Sequence, residues 1–237
     1  MYKTATVLAL TFFSLNALSQ VPNSADITVS GRVTPGACSL TLGGGGMANF
    51  GVLSSGLVKT YQFASDPERY VSPDSEKKTL PLAVSCDSPT KMALSFTDNR
   101  VSSVSGFPDT IRWGLGTYVY PGGVEAKIGS YNIHYLTNIF VKATTASAAA
   151  VPGGALFTDG AATSSSSWVG PVSHENAYIP AGKSMAFIFS PGTSTPDRMT
   201  EIKMDLKIQL ELLRTVVDSA TTDIILDGSG TVTLVII

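Results

Sequence analysis

Cysteine and histidine are almost absent from this 237-residue chain, which holds two of each: Cys38 and Cys86, His134 and His174. Two cysteines permit one disulfide and exclude a cysteine-rich metal site, and two histidines leave little material for histidine-based catalysis. Charge is scarce as well. Charged residues make up 14% of the chain, where an ordinary soluble domain carries about a quarter. With a formal net charge of −2, no broad basic surface is expected and nucleic-acid binding has no compositional support. Disordered chains are charge-rich and apolar-poor, so a chain with 43% hydrophobic residues is expected to fold over most of its length. Long apolar runs are also missing. The longest, Ala5 to Leu18, spans 14 residues and includes Thr, Ser and Asn, whereas a membrane span needs roughly 20 apolar residues.

That run has another reading. Lys3 precedes it and Ala17-Leu18-Ser19 closes it with a small-x-small pattern. A basic residue, a short apolar stretch and a small-residue end make a secretory signal. Residues 1–19 are therefore expected to be removed, with Gln20 first in a mature chain of 218 residues without a transmembrane segment. Export places Cys38 and Cys86 in an oxidising compartment, where a disulfide is the default; two buried free thiols are the alternative. Cys38, Leu40 and Leu42 share one parity, and Leu80, Leu82, Val84 and Cys86 share another. If both segments are strands with their apolar faces inward, both sulfurs enter one core.

The dominant period is two. Ile27, Val29 and Val33 alternate with polar residues, as do Met92, Leu94 and Phe96; Ile111, Trp113 and Leu115; Tyr131, Ile133 and Tyr135; and Met185, Phe187 and Phe189. Gly, Pro, Asn, Asp or Ser bounds each run, which is the strand signature. Residues 201–213 are good helix formers, yet Ile202, Met204, Leu206, Ile208, Leu210 and Leu212 alternate with charged or amide residues. A helix scatters that set over all faces and a strand gathers it on one, so the period predicts a long strand. Gly43–Gly46 reads as a turn, and residues 142–154 and Ser164–Ser167 as exposed loops. About ten short strands with one disulfide predict an all-β sandwich of one enlarged domain.

The chain offers little for catalysis. Gly51 and Gly56 have P-loop spacing, but Leu57 stands where the lysine must be, so the match fails. His134 has the parity opposite to Tyr131, Ile133 and Tyr135 and reads as an outward strand residue; His174 lies in a polar Ser-His-Glu-Asn loop. Neither has metal-ligand spacing, and no cofactor or metal site is expected. Asp98-Asn99-Arg100 has two readings, a small polar site or a strand end capped by a turn, and its residue types favour the cap. Trp113 and Trp168 have two readings, stacking on a sugar or packing in a core. The two ends are more informative. Gln20–Ala37 precedes the first cysteine and carries a strand-like alternation, and the chain closes on Val232, Leu234 and Ile236 in alternation with no polar tail. Apolar terminal strands are an aggregation hazard in a monomer and suit pairing with another molecule.

These pieces carry a resemblance. They are Val29-Ser-Gly-Arg-Val33 followed by Thr34-Pro-Gly-Ala-Cys38; the glycine-rich loop with Asn49-Phe-Gly51; Leu82-Ala-Val-Ser-Cys86; Asp98-Asn-Arg100; Trp113-Gly-Leu-Gly116; Lys127-Ile-Gly-Ser-Tyr131; and the final Leu226–Ile237. In this order they resemble a chaperone–usher fimbrial (pilus) subunit and, more narrowly, an uncharacterised family of fimbrial-type secreted proteins of Gram-negative bacteria. The resemblance implies an immunoglobulin-like sandwich lacking its final strand, with residues 34–237 as the domain and residues 20–33 as a donor-strand extension. Ile27, Val29, Gly31 and Val33 would fill the groove of a neighbouring subunit, and Val232, Leu234 and Ile236 would form the groove edge and chaperone contact. The implied partners are a periplasmic chaperone, an outer-membrane usher, neighbouring fimbrial subunits and a host-surface receptor. The implied destination is the cell surface, reached through the periplasm. Many such subunits carry an aromatic residue next to last, where this chain has Ile236.

Two other readings stand beside it. One is a self-complete periplasmic or secreted β-sandwich that binds a ligand such as carbohydrate through Trp113 or Trp168. The other is a secreted hydrolase using His134 or His174. The scarcity of histidine and free cysteine favours a structural protein over an enzyme.

Overall fold

A computed structural model describes residues 37–62, 66–105, 111–135, 139–143, 149–169, 177–189 and 192–237. The N-terminal strand-like segment, with Ile27, Val29, Gly31 and Val33, and His174 lie outside the described residues.

Alternation produces strands throughout, and these assemble into two facing layers. The larger sheet contains β1 (Cys38–Leu42), β2 (Arg69–Val71), β3 (Lys78–Thr90), β5 (Arg112–Gly114), β8 (Gly129–Tyr135), β9 (Phe140–Lys142), β10 (Val151–Pro152), β12 (Ala177–Tyr178) and β14 (Met199–Leu213). The smaller sheet has the order β11 (Gly154–Asp159), β13 (Lys183–Ile188), β4 (Met92–Asp98), β15 (Gly230–Ile236). A separate hairpin joins β6 (Thr117–Val119) to β7 (Glu125–Lys127). Two short α-helices, α1 (Ser55–Val58) and α2 (Arg214–Ser219), and three 3-10 turns, Gly43–Gly46, Asp74–Glu76 and Val101–Ser103, complete the described elements. One core joins the layers, with Leu94, Phe96, Met185 and Phe187 from the smaller sheet and Leu82, Val84, Ile202 and Leu206 from the larger. The fold is an all-β sandwich with one disulfide.

The segment whose residues favour a helix is β14, a strand of 15 residues. Ile202, Met204, Leu206, Ile208, Leu210 and Leu212 are all buried, as the period requires. One edge of β14 pairs with β3 and then β2, the other with β9 and then β8, all antiparallel. Inside the expected loop 142–154, Val151–Pro152 pairs with β9, so that stretch is not wholly a loop.

The outer face of β14 departs from a solvated strand. Glu211 is buried, accepting hydrogen bonds from Arg69 Nη1 at 2.7 Å, Arg112 Nε at 2.7 Å and Asn132 Nδ2. Arg69 also pairs with Asp66 at 3.0 Å. Two guanidinium groups thus face two carboxylates, which offsets much of the cost of removing them from water. Gln209 Nε2 donates to Ser72 O at 2.7 Å, bringing the segment after β2 against the same face.

His134 corrects an expectation. Its parity is outward, yet it is 3% exposed, because Tyr178 of β12 packs on its ring at 4.4 Å and Gln209 Oε1 lies 2.9 Å from Nε2. A residue on the outer side of a sheet is exposed only if nothing covers it, and here its cross-strand neighbour Tyr178 and the side chain of Gln209 lie over it. Burial, reinforced by the Lys77 charge, holds the imidazole down at about 4.

The two cysteines are direct partners across β1 and β3, in the register Cys38↔Cys86, Leu40↔Val84, Leu42↔Leu82. They form a disulfide that closes a separation of 48 residues. It fastens β1, the edge strand of its sheet, to β3.

Two predictions follow from these contacts. Replacing both Cys38 and Cys86 by Ala should lower the free energy of urea unfolding by about 4 kcal/mol, the loop-entropy value for that closure. His134 stays neutral in the folded chain down to about pH 4, while the unfolded imidazole takes up its proton near 6.5. Its contribution is therefore complete above 6.5 and is lost as pH falls toward 4. His134→Gln should remove up to about 2 kcal/mol of the stability difference between pH 7 and pH 5, read from urea unfolding at each pH.

Candidate functional site

The apolar face of β14 does not meet the smaller sheet along its whole length. Around Leu206, Ile208, Leu210 and Leu212 it forms the floor of a groove of about 1110 Å³, extended by Leu80, Trp113, Tyr131 and Ile133. Residues 45–55 line the groove together with residues 220–226 and with Gly230 and Val232 of β15. A strand with one buried face needs a facing layer. Among the described residues that layer is incomplete over the groove, and walls of mixed apolar and polar residues take its place.

β15 is the edge strand of its sheet. Its seven residues pair with β4, from Gly230↔Asp98 to Ile236↔Met92. Among the described residues its other edge has no strand partner. The three expected groove-edge residues are distributed along it. Val232 lines the groove, and Val232 and Leu234 are half-buried against the main core. Ile236 is 50% exposed and outside the lining residues. On the opposite face, Val235 and Ile237 pack with Trp168 against Ala93, Ala162 and Ala186.

A polar and aromatic junction fixes the start of β15. Asp98 accepts hydrogen bonds from Arg100 N at 2.7 Å and Gly114 N at 2.8 Å. Asn99 Nδ2 donates to Ser229 Oγ and Thr231 Oγ1, and Arg100 pairs with Asp227. Asp227 N donates to Leu115 O at 3.0 Å. Beneath lies Trp113, fully buried, with its Nε1 donating to Ile179 O at 3.0 Å. A Cβ on Gly230 would come 2.8 Å from Trp113, and one on Gly228 2.7 Å from Tyr131. Burial and the nearby Asp98 carboxylate push the Tyr131 phenol well up. The Asp98-Asn99-Arg100 turn is thus a cap, as its residue types suggest, and also a clamp on the last strand.

The other expected chemistry does not assemble. Trp113 belongs to the core, and Trp168 is half-buried in the small alanine cluster. His134 is engaged by Gln209. Among the described residues no group of three or more His, Cys, Asp or Glu is placed to hold a metal ion. Residue-by-residue reading missed the walls 45–55 and 220–226. Ala48, Phe50, Leu53, Ile224 and Leu226 pack on the core without a regular period, so periodicity has nothing to detect there.

Parts of the chain are similar to a family model and to a known protein. A family model described as a protein of unknown function (DUF1120) matches residues 27–119. That span includes both cysteines, the groove wall at 45–55, the Asp98 turn and Trp113. Protein GltF of Escherichia coli (strain K12) is 28% identical over 104 residues, which is 43% of this chain and 38% of that protein.

Glycines separate junction from groove wall. A Cβ at Gly114 would sit 1.9 Å from the Arg100 carbonyl oxygen, whereas at Gly56 it meets nothing within 4 Å. Gly114→Ala should cost about 3 kcal/mol or more in thermal or urea unfolding, and Gly56→Ala, in α1, should be neutral or slightly stabilising.

Proposed function

We propose that the chain is a structural subunit of a surface fimbria, exported through the periplasm and assembled by a chaperone–usher pathway. A periplasmic chaperone would first lend a strand to the groove. At the outer-membrane usher, the N-terminal segment of the next subunit would replace it, with Ile27, Val29, Gly31 and Val33 facing inward. The reading assigns the chain a structural role in a fibre, with adhesion to a host-surface receptor as an accompanying role, and no catalytic residue.

The observation that carries it is the pairing of an open strand edge with an apolar hollow. β15 has one edge unpaired among the described residues, beside a groove of about 1110 Å³ whose floor is a row of buried aliphatic side chains. An added strand satisfies both demands, because its main chain pairs with the edge and its alternate side chains fill the hollow. Each main-chain hydrogen bond contributes about 1 kcal/mol net and each buried aliphatic side chain about 1.5–3 kcal/mol. A strand matching the seven residues of β15 therefore gains enough to outweigh the cost of ordering the segment that supplies it. The N-terminal segment has the required alternation and length. Among the described residues no helix is long and apolar enough to cross a membrane.

Deleting residues 20–31 behind an intact signal should leave chaperone binding unchanged and abolish incorporation into fibres. Surface material sheared from cells and run in detergent without boiling should show a ladder of multimers that boiling collapses. Normal fibres from the truncated chain would remove the donor role. A single monomer band in both lanes would favour a self-complete binding module instead.

A further inference from the structure

A second hollow, of about 480 Å³, lies on the face of β14 opposite the groove. Helix α1 borders both, with Leu57 lining the hollow and Val58 lining the groove. Val71, Ser72 and Gln209 line the hollow from the sheet, Tyr61 and Gln62 from the segment after α1, and Glu76 from the turn Asp74–Glu76. Main-chain bonds fix this frame. Val71 N donates to Tyr61 O at 2.8 Å, Ser72 N to Leu210 O at 2.9 Å and Glu76 N to Pro73 O at 3.0 Å. Gln209 is engaged at both ends, donating to Ser72 O and meeting the His134 ring, so it serves as a wall.

Two polar groups in the lining are left over. Tyr61 is 6% exposed, and its buried hydroxyl has no hydrogen-bond partner among the described residues. Such a group is costly and uncommon in a folded chain. Glu76 is half-buried, and among the described residues its carboxylate makes no ion pair. The neighbouring lysines are engaged elsewhere. Lys77 pairs with Asp74 at 2.7 Å, Lys59 pairs with Asp218 at 3.2 Å, and Lys78 lies over the Phe50 ring at 5.5 Å. The lining itself contains no basic residue. The Glu76 charge is felt at Tyr61, where it adds to burial in pushing the phenol up.

We propose that this hollow binds an ammonium group carried on a short alkyl stem, with Glu76 and Tyr61 as its polar partners. An ammonium carries only donors, an ionised carboxylate only accepts, and a phenol oxygen accepts while its own hydrogen turns aside. A cation balances the charge that the lysines leave unneutralised, and Leu57, Val71 and Pro73 offer apolar surface to the stem. A neutral polyol leaves that charge unpaired, and an anion is repelled by it. The volume falls within the range of small-molecule sites, about 300–1,000 Å³. The same chemistry is offered by a free amine and by a lysine side chain of a partner protein. The site lies on the other face of β14 from the groove, so it stands apart from the fibre reading.

Titration of the isotope-labelled, full mature chain with pentylammonium chloride, followed by NMR, tests this. The amide signals of Tyr61, Gln62 and Glu76 should shift and saturate, while pentanol and sodium pentanoate at the same concentrations leave them in place. Glu76→Gln should weaken pentylammonium binding about tenfold and Tyr61→Phe about threefold, as expected for losing a charged and a neutral hydrogen-bond partner. Tyr61→Phe should also leave the urea midpoint unchanged or raise it, because it removes a hydroxyl that has no partner. Equal shifts with pentanol, or undiminished pentylammonium binding in Glu76→Gln, would overturn the site. A lowered midpoint in Tyr61→Phe would overturn the role given to its hydroxyl. Nα-acetyl-lysine methylamide separates the two sources. Shifts matching those of pentylammonium uphold a lysine side chain as the ligand, and their absence upholds a free amine.

Discussion

Strand pairing along both edges of β14 is the constraint on which the rest of the molecule depends. This strand of 15 residues joins β3 and β2 on one side to β9 and β8 on the other. Its inward residues supply the middle of the core and also the floor of the groove. Its outward residues hold a buried ionic network and shelter His134. Moving the register by one residue would exchange those faces, placing aliphatic side chains in the polar network and charges in the core. The alternation in residues 201–213 therefore has to be strict, and it overrides the helical preference of the individual residues.

Against that sheet, the last strand is held firmly at its start and, among the described residues, has no strand partner along one edge. Asp98, Asn99 and Arg100 close a turn and clamp Asp227, Ser229 and Thr231, while Trp113 and Tyr131 lie close beneath Gly230 and Gly228. A strand positioned so closely can accept a partner with little loss of its own freedom, and preorganisation of this kind strengthens binding.

Much of the fold is legible in the linear pattern. Period-two runs mark the strands, including β14, and the inward parity of Cys38 and of Cys86, each within its own strand, anticipates two sulfurs in one core. The cap at Asp98 is readable from residue type. Other features are not. His134 shows outward parity and is nevertheless buried, because parity reports the side of a sheet and not which neighbouring side chains lean over it. Glu211 looks like a solvated strand residue until Arg69, 142 positions away in the chain, closes on it. The groove walls at 45–55 and 220–226 have no period, since neither is regular structure.

Sequence alone determined the all-β class, the strand identity of 201–213, the disulfide partners and the capping turn. Each of these depends on local alternation or on a small set of candidates. Tertiary structure decided that Asp98, Trp113, Tyr131 and the Asp227–Gly230 run meet at one junction, and that β15 borders an open hollow. Those facts depend on which strands become neighbours. Neighbours in a sandwich are chosen by long-range pairing and by packing between layers, and no short window of the chain contains either.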